Sequence, residues 1–189
     1  MMKAHSWIKA GRKLLALCAM GAFAALLVAC AVTQQTQGGL QIAPQDKVAL
    51  LPVANHTEVP QAGLRAEAIL EVSLRAKGVT QLLVYPPELN PENLFEPAER
   101  KAQIEAEKWA RAQGVRYVVL ASVEEWRYKV GVDGEPAVGL AVQVKDLKTR
   151  QIVYAATGGS TGWSREALTA VAQKLSTRLL SGLSVGTAE

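Results

Sequence analysis

One segment takes itself out of the folding problem. Leu14 to Ala29, "LLALCAMGAFAALLVA", is sixteen residues without a charge, and it stops on Cys30. Ahead of it, residues 1–13 carry Lys3, Lys9, Arg12 and Lys13 and no acid. A basic head, a short apolar stretch and small residues at its end are the pattern of a secretory signal peptide. The run is shorter than the ~20 residues of a permanent membrane-crossing helix. Residues 1–29 are therefore expected to be cleaved. Removing 29 of 189 residues leaves 160, enough for one domain with a sizeable core.

The cleavage resets the electrostatics. The chain has 21 Lys and Arg against 17 Asp and Glu, a formal +4. The signal holds four of those cations and no acid, so the mature chain carries 17 of each. A neutral chain offers no basic footprint for nucleic acid, and none is expected as a partner. Cys18 lies in the discarded segment, so Cys30 has no partner for an intramolecular disulfide. Leu27-Val28-Ala29-Cys30 resembles the lipobox of bacterial lipoproteins. That resemblance implies that Cys30 becomes the first mature residue and is acylated on its sulfur and then its amine. Apart from this covalent lipid, no cofactor or metal is expected. Several acyl chains, at ~0.8 kcal/mol per buried methylene, far exceed the marginal hold of one. Ala31, rather than Asp, follows the cysteine, resembling the pattern sent to the outer membrane.

Residues 30–46 begin with the polar, Gln-rich "AVTQQTQGGLQIAPQ", Ala31 to Gln45, expected to be a flexible tether. A single domain is expected over residues 47–185. Val48 to Val53 is nearly all apolar, as a strand buried on both faces should be. Between Pro60 and Lys77, Leu64, Ala68, Val72 and Ala76 recur at helical spacing with Ile69 and Leu74 nearby, and Gly78 follows. That stripe is the expected core face of a first helix. Val79 to Tyr85 reads as a strand. "PPELNPENLFEP" holds four prolines and reads as a loop, and a second helix is expected from Ala98 to Gln113. Three strands with hairpin-length connections follow, the middle one with Val138, Leu140, Val142 and Val144 on one face. A last helix is expected from Ser164 to Ser181, with Leu168, Val171, Ala172, Leu175 and Leu179 inward. The order β-α-β-α-β-β-β-α defines an α/β domain with a mixed sheet flanked by helices.

Few residues could carry catalysis. His56 is the sole histidine after residue 29, in the loop "VANHTEVP" with Glu58 nearby. An envelope hydrolase would have to use it, and His56→Ala tests that reading. "GGSTGWS" lacks the lysine of a phosphate loop and "LPVANHTE" lacks its glycines. Glu124 and Glu125, as strand neighbours, are expected on opposite faces, unable to share a substrate. Enzymatic activity is not expected. Two surface features remain. In "GGSTGWSRE", spacing favours Ser164 as a helix cap with Trp163 and Leu168 as a hydrophobic staple. The other reading has Trp163, beside Arg165, on a loop tip in lipid headgroups. Glu124, Glu125, Asp133 and Glu135 gather near one hairpin against Arg127 and Lys129. In a monomer that is an ordinary solvated hairpin end; in a symmetric ring the repeated carboxylates add their fields.

The segments "ASVEEWRYKVGVDGEPAVGLAVQVKD" and "ATGGSTGWSREALTAVAQKL", most of Ala121 to Leu175, resemble the PelC family of lipoproteins of Pel exopolysaccharide export. The lipobox and "VALLPVANHT" fit as well. The resemblance implies a non-enzymatic ring, a dodecamer, on the periplasmic face of the outer membrane. Such a ring would pass a cationic, partly deacetylated amino-sugar polymer to an outer-membrane β-barrel porin during biofilm formation. It implies membrane contact by Trp163, with Arg165 beside it, and a polymer-facing role for Asp133. Extending that role to Glu124, Glu125 and Glu135 rests on local charge. A second resemblance is to lipoprotein activators of peptidoglycan synthases, monomers on long leashes. The 15 residues from Ala31 to Gln45, roughly 20 Å as a coil, are short for that reach.

Overall fold

The computed structural model describes residues 33–86, 89, 96–131 and 134–186. In chain order the elements are β1 (Thr33–Gln37), β2 (Leu40–Ile42), β3 (Val48–Leu50), β4 (Ala54–Asn55), α1 (Ala62–Ala76), β5 (Leu82–Val84), α2 (Glu96–Ala112), β6 (Tyr117–Tyr128), β7 (Pro136–Asp146), β8 (Ile152–Thr161), α3 (Leu168–Leu179) and β9 (Leu183–Val185). The expected mixed α/β order is present from β3 to α3, with the two-residue β4 added between β3 and α1. The main sheet runs β1-β8-β7-β6-β3-β5, with β4 also paired to β6, and β2 pairs β9 in a separate two-stranded sheet. β3 lies parallel to both β5 and β6, while β6, β7, β8 and β1 alternate antiparallel.

Val48 to Leu51 have no exposed surface, which is why this run carries no polar residue. Val48 and Leu50 face α1 and α3, whereas Ala49 and Leu51 face α2. The crossovers β3-α1-β5 and β5-α2-β6 run in opposite directions along the sheet. Right-handed connections therefore put α1 and α2 on opposite faces. Both helices end as their glycines require. Gly78 and Gly114 take positive φ, with Val79 N–H donating to the Leu74 carbonyl and Val115 N–H to that of Ala110. Val138, Leu140, Val142 and Val144 are buried as expected, and so are Val171, Ala172, Leu175 and Leu179, with Leu168 half-buried. Among the described residues no helix is long and apolar enough to cross a membrane.

Three expectations fail here. The first concerns α1. Its buried residues are Ala62, Gly63, Ala66, Leu70 and Leu74, while Leu64, Ala68, Val72 and Ala76 face solvent. The helix carries two apolar stripes, and the one with small residues at its start is inward because the backbone there is close. A Cβ on Gly63 would stand 2.4 Å from the Val53 carbonyl oxygen. Beside it, Glu67 accepts the Val53 N–H at 3.2 Å, where Pro52 interrupts the strand between β3 and β4. Gly63→Ala should gain about 1 kcal/mol in helix propensity but lose more, ~1–3 kcal/mol, to overpacking against backbone. A thermal melt should show Tm lowered by a few degrees; a raised Tm would refute the close approach.

The second concerns the tether. Residues 33–37 pair with β8 and residues 40–42 with β9, so this polar segment is sheet rather than coil. Residues 1–32, with the expected signal peptide and Cys30, lie outside the described residues. The third concerns α3, which begins at Leu168 with Ala167 at its cap, four residues later than expected.

Candidate functional site

The far end of β6 and β7 holds most of the singled-out residues. Their pairing slips there: Val123 faces Leu140, yet Glu125 faces Gly139, so Glu124 is one residue too many. A bulge of this kind breaks the two-residue alternation of a strand. Val123 and Trp126 both face the core, leaving Glu124 and Glu125 together on the opposite face. The expectation that they diverge is therefore wrong. Gly139 makes room for the pair, since a Cβ there would lie 3.2 Å from Glu125 Cβ and 3.5 Å from Glu124 Cβ.

Glu124 is held from two sides. Ser122 Oγ donates to its Oε1 at 2.5 Å, and His56 Nδ1 lies 3.0 and 3.2 Å from its two oxygens. His56 is fixed in turn by its N–H, which donates to the Val123 carbonyl just past β4. The Ser122 hydrogen bond first, and His56 second, hold the Glu124 carboxyl below the usual glutamate range. It is a carboxylate under physiological conditions. The three side chains are the types of a hydrolytic triad in the wrong order. Ser122 donates its hydroxyl hydrogen bond to Glu124 rather than to the histidine, so this is not the arrangement of a serine activated by its base. Among the described residues no three His, Cys, Asp or Glu side chains gather as a metal site would need.

Glu125 and Glu135 meet cations. Glu125 accepts from Arg127 Nε at 2.8 Å, and Lys129 Nζ lies 3.8 Å from Glu135. Asp133 lies outside the described residues. Exposed pairs of this kind contribute ~0–1 kcal/mol each to stability. Their effect is to quench the field of a single copy.

Trp163 stands beside this hairpin, with 75 % of its surface exposed. It is not a staple: α3 starts too late, and the ring packs on nothing in the core. The loop is held by Glu166 instead. Its carboxylate accepts the Trp163 N–H at 3.1 Å and Lys174 Nζ at 2.6 Å, and its own N–H donates to the Trp163 carbonyl. Lys174 first, and the Trp163 N–H second, keep the Glu166 carboxyl below its ordinary range. Arg165 is exposed at φ 70. Tyr128 Oη donates to the Glu166 carbonyl at 3.3 Å, and Gly162 N–H to that of Pro136, tying loop and hairpin together. Trp163, Tyr128 and Val130 are thus large exposed apolar side chains at one end of the domain. Neither Glu166 nor Tyr128 stood out in the sequence. A glutamate three residues after an exposed N–H is the reach-back half of a capping box and could have identified Glu166.

No family model matches the chain, and no curated protein does. Among solved structures, the PelC dodecamer from Paraburkholderia phytofirmans is 39% identical, covering 83% of this chain and 100% of that one with a TM-score of 0.70. A single-substitution form of that dodecamer is 40% identical over 80% of this chain and 97% of that one, with a TM-score of 0.68. Lipoprotein GNA1162 from Neisseria meningitidis shares the fold: 15% identity, 72% of this chain and 96% of that one, TM-score 0.51.

Proposed function

This chain belongs to the PelC family, and from that premise we propose that it is a non-enzymatic lipoprotein of the outer membrane. Copies anchored through Cys30 on the periplasmic face form a ring that guides cationic Pel exopolysaccharide toward a β-barrel porin. The observation that carries this reading is 39% identity along the whole length of a PelC chain solved as a dodecamer.

Local physics supports each part. Two residues, Ala31 and Val32, separate Cys30 from the start of β1 at Thr33, three Cα steps with a reach of at most ~10 Å. A domain on so short a leash stays against the leaflet that holds its acyl chains, which disfavours a module reaching to the cell-wall synthases. An exposed indole suits the headgroup layer, and Arg165 beside it suits lipid phosphate. At the hairpin, Glu124, Glu125, Asp133 and Glu135 against Arg127 and Lys129 leave a formal −2 per copy. One copy so quenched attracts little; around a ring the residual charges share one axis and their fields add. A polycation is then drawn in without a tight stop, as transport requires.

Replacing Asp133 by Asn together with Glu124, Glu125 and Glu135 by Gln should lower Pel secretion several-fold while the assembled mass stays the same. Unchanged secretion with the ring intact would overturn the guiding role.

A further inference from the structure

α1, α2 and α3 end on the same side of the domain, where β3, β6 and β8 begin and opposite the Trp163 loop. Arg75, Arg111 and Arg178 stand in their last turns. Each helix C-terminus carries about half a negative charge, so the dipoles account for these three cations.

The same end holds a second set of cations that the helices do not explain. Backbone bonds link them: Arg116 and Tyr117 N–H donate to the Lys47 carbonyl, and Leu147 N–H to the Arg116 carbonyl. Arg116 serves the fold, 3.5 Å from Asp46 and 3.6 Å from Asp146. Buried Asp146 also accepts the Lys148 and Thr149 N–H groups, shaping the turn that displays Lys148 and Arg150. Lys47, Lys148 and Arg150 are exposed, and among the described residues no carboxylate pairs with them. Two residues after Arg150, Ile152 is an apolar side chain 46% exposed.

We propose that this end is the docking surface of an acidic protein, whose carboxylates meet Lys47, Lys148 and Arg150 around an apolar contact at Ile152. The inference rests on the function proposed above and names a further partner. β1 enters at the Trp163 end, with Thr33 opposite Gly159, so a lipid on Cys30 holds that end to the membrane. The cationic end then stands away from the leaflet by the length of the sheet, ~40 Å for the twelve residues of β6. At several Debye lengths, lipid phosphate is out of its reach. This end faces the space from which a cationic polymer arrives. Uncovered, a ring of such ends would repel that polymer, because like fields add around an axis just as opposite ones do. An acidic partner seated there cancels the repulsion. An apolar residue ringed by charge also has the pattern of a protein interface.

The test uses the full acylated chain in nonionic detergent, with a short fluorescent poly-glutamate peptide as the probe. The wild-type chain should bind it, and rising salt should weaken the complex. Lys47→Gln, Lys148→Gln and Arg150→Gln in one chain should weaken binding at least tenfold. Tm and assembled mass should stay at wild-type values, because these side chains pair with no carboxylate among the described residues. Pel secretion should fall in the same variant. Absent wild-type binding, or equal binding by the variant, would overturn the docking surface. So would raised secretion, which would mean that the cations only hinder the polymer. A variant that loses binding to phosphatidylglycerol vesicles but keeps the peptide would assign this end to lipid and overturn the protein partner. Failure of the guiding role is a separate result: the Asp133, Glu124, Glu125 and Glu135 replacements would then leave secretion unchanged, with peptide binding intact.

Discussion

Replacing Cys30 by serine is expected to leave the mature protein unlabelled by palmitate, to move it from the outer-membrane fraction to the soluble periplasm, and to cut Pel secretion at least tenfold. The magnitude follows from chain counting. One acyl chain gives marginal, reversible membrane binding and two or more give stable anchoring, so losing all of them removes the anchor entirely. What remains is one exposed indole per copy, which holds only by repetition around a ring. Serine could also leave residues 1–29 attached. A version exported through a conventional cleavable signal, with residues 1–30 removed, separates lost lipid from retained signal. Palmitate label on the Cys30→Ser protein would sink the lipobox assignment. An unlabelled protein that stays in the membrane would mean that the Trp163 end suffices.

Gly162→Val should disrupt stability and the Trp163 loop together. The first carbon of any side chain there would stand 2.6 Å from Glu166 Oε2, 2.6 Å from Val171 Cγ2 and 2.9 Å from Pro136 Cγ. Overpacking of this kind costs ~1–3 kcal/mol, or roughly 2–12 °C in Tm for a domain of this size. Relieving the clash requires Glu166 to move along with Val171 and Pro136, and Glu166 holds the Trp163 backbone N–H. Gly162→Val should therefore lower Tm and weaken vesicle binding together. Trp163→Ala is the complementary change: it should weaken vesicle binding and leave Tm nearly unmoved, because three-quarters of the residue is exposed and it belongs to neither core cluster. A large Tm loss in Trp163→Ala would restore the staple.

Much of this was legible in one dimension. A strand with no polar residue between Val48 and Leu51 has to be central, and a clean alternation from Val138 to Val144 has to bury one face. Gly78 and Gly114 stand where each helix must turn left-handed to close its last carbonyls. Other features were invisible because a partner distant in sequence decides them. Thr33 to Gln37 shows no apolar period, yet it becomes a strand because β8 offers an unpaired edge. Glu124 and Glu125 share a face because Gly139, on the next strand, leaves space for a bulge.

Hydropathy and periodicity thus determined the main elements from β3 to α3, short β4 apart, since each depends on local composition. The expected neutral mature chain and lipid anchor rest on charge counting and on the lipobox resemblance. The tertiary structure decided which stripe of α1 went inward and which way Trp163 points. Both stripes are apolar, and burial followed the one whose small residues let the helix reach the Val53 backbone. Trp163 is outward because its loop is held by Glu166 rather than by the core.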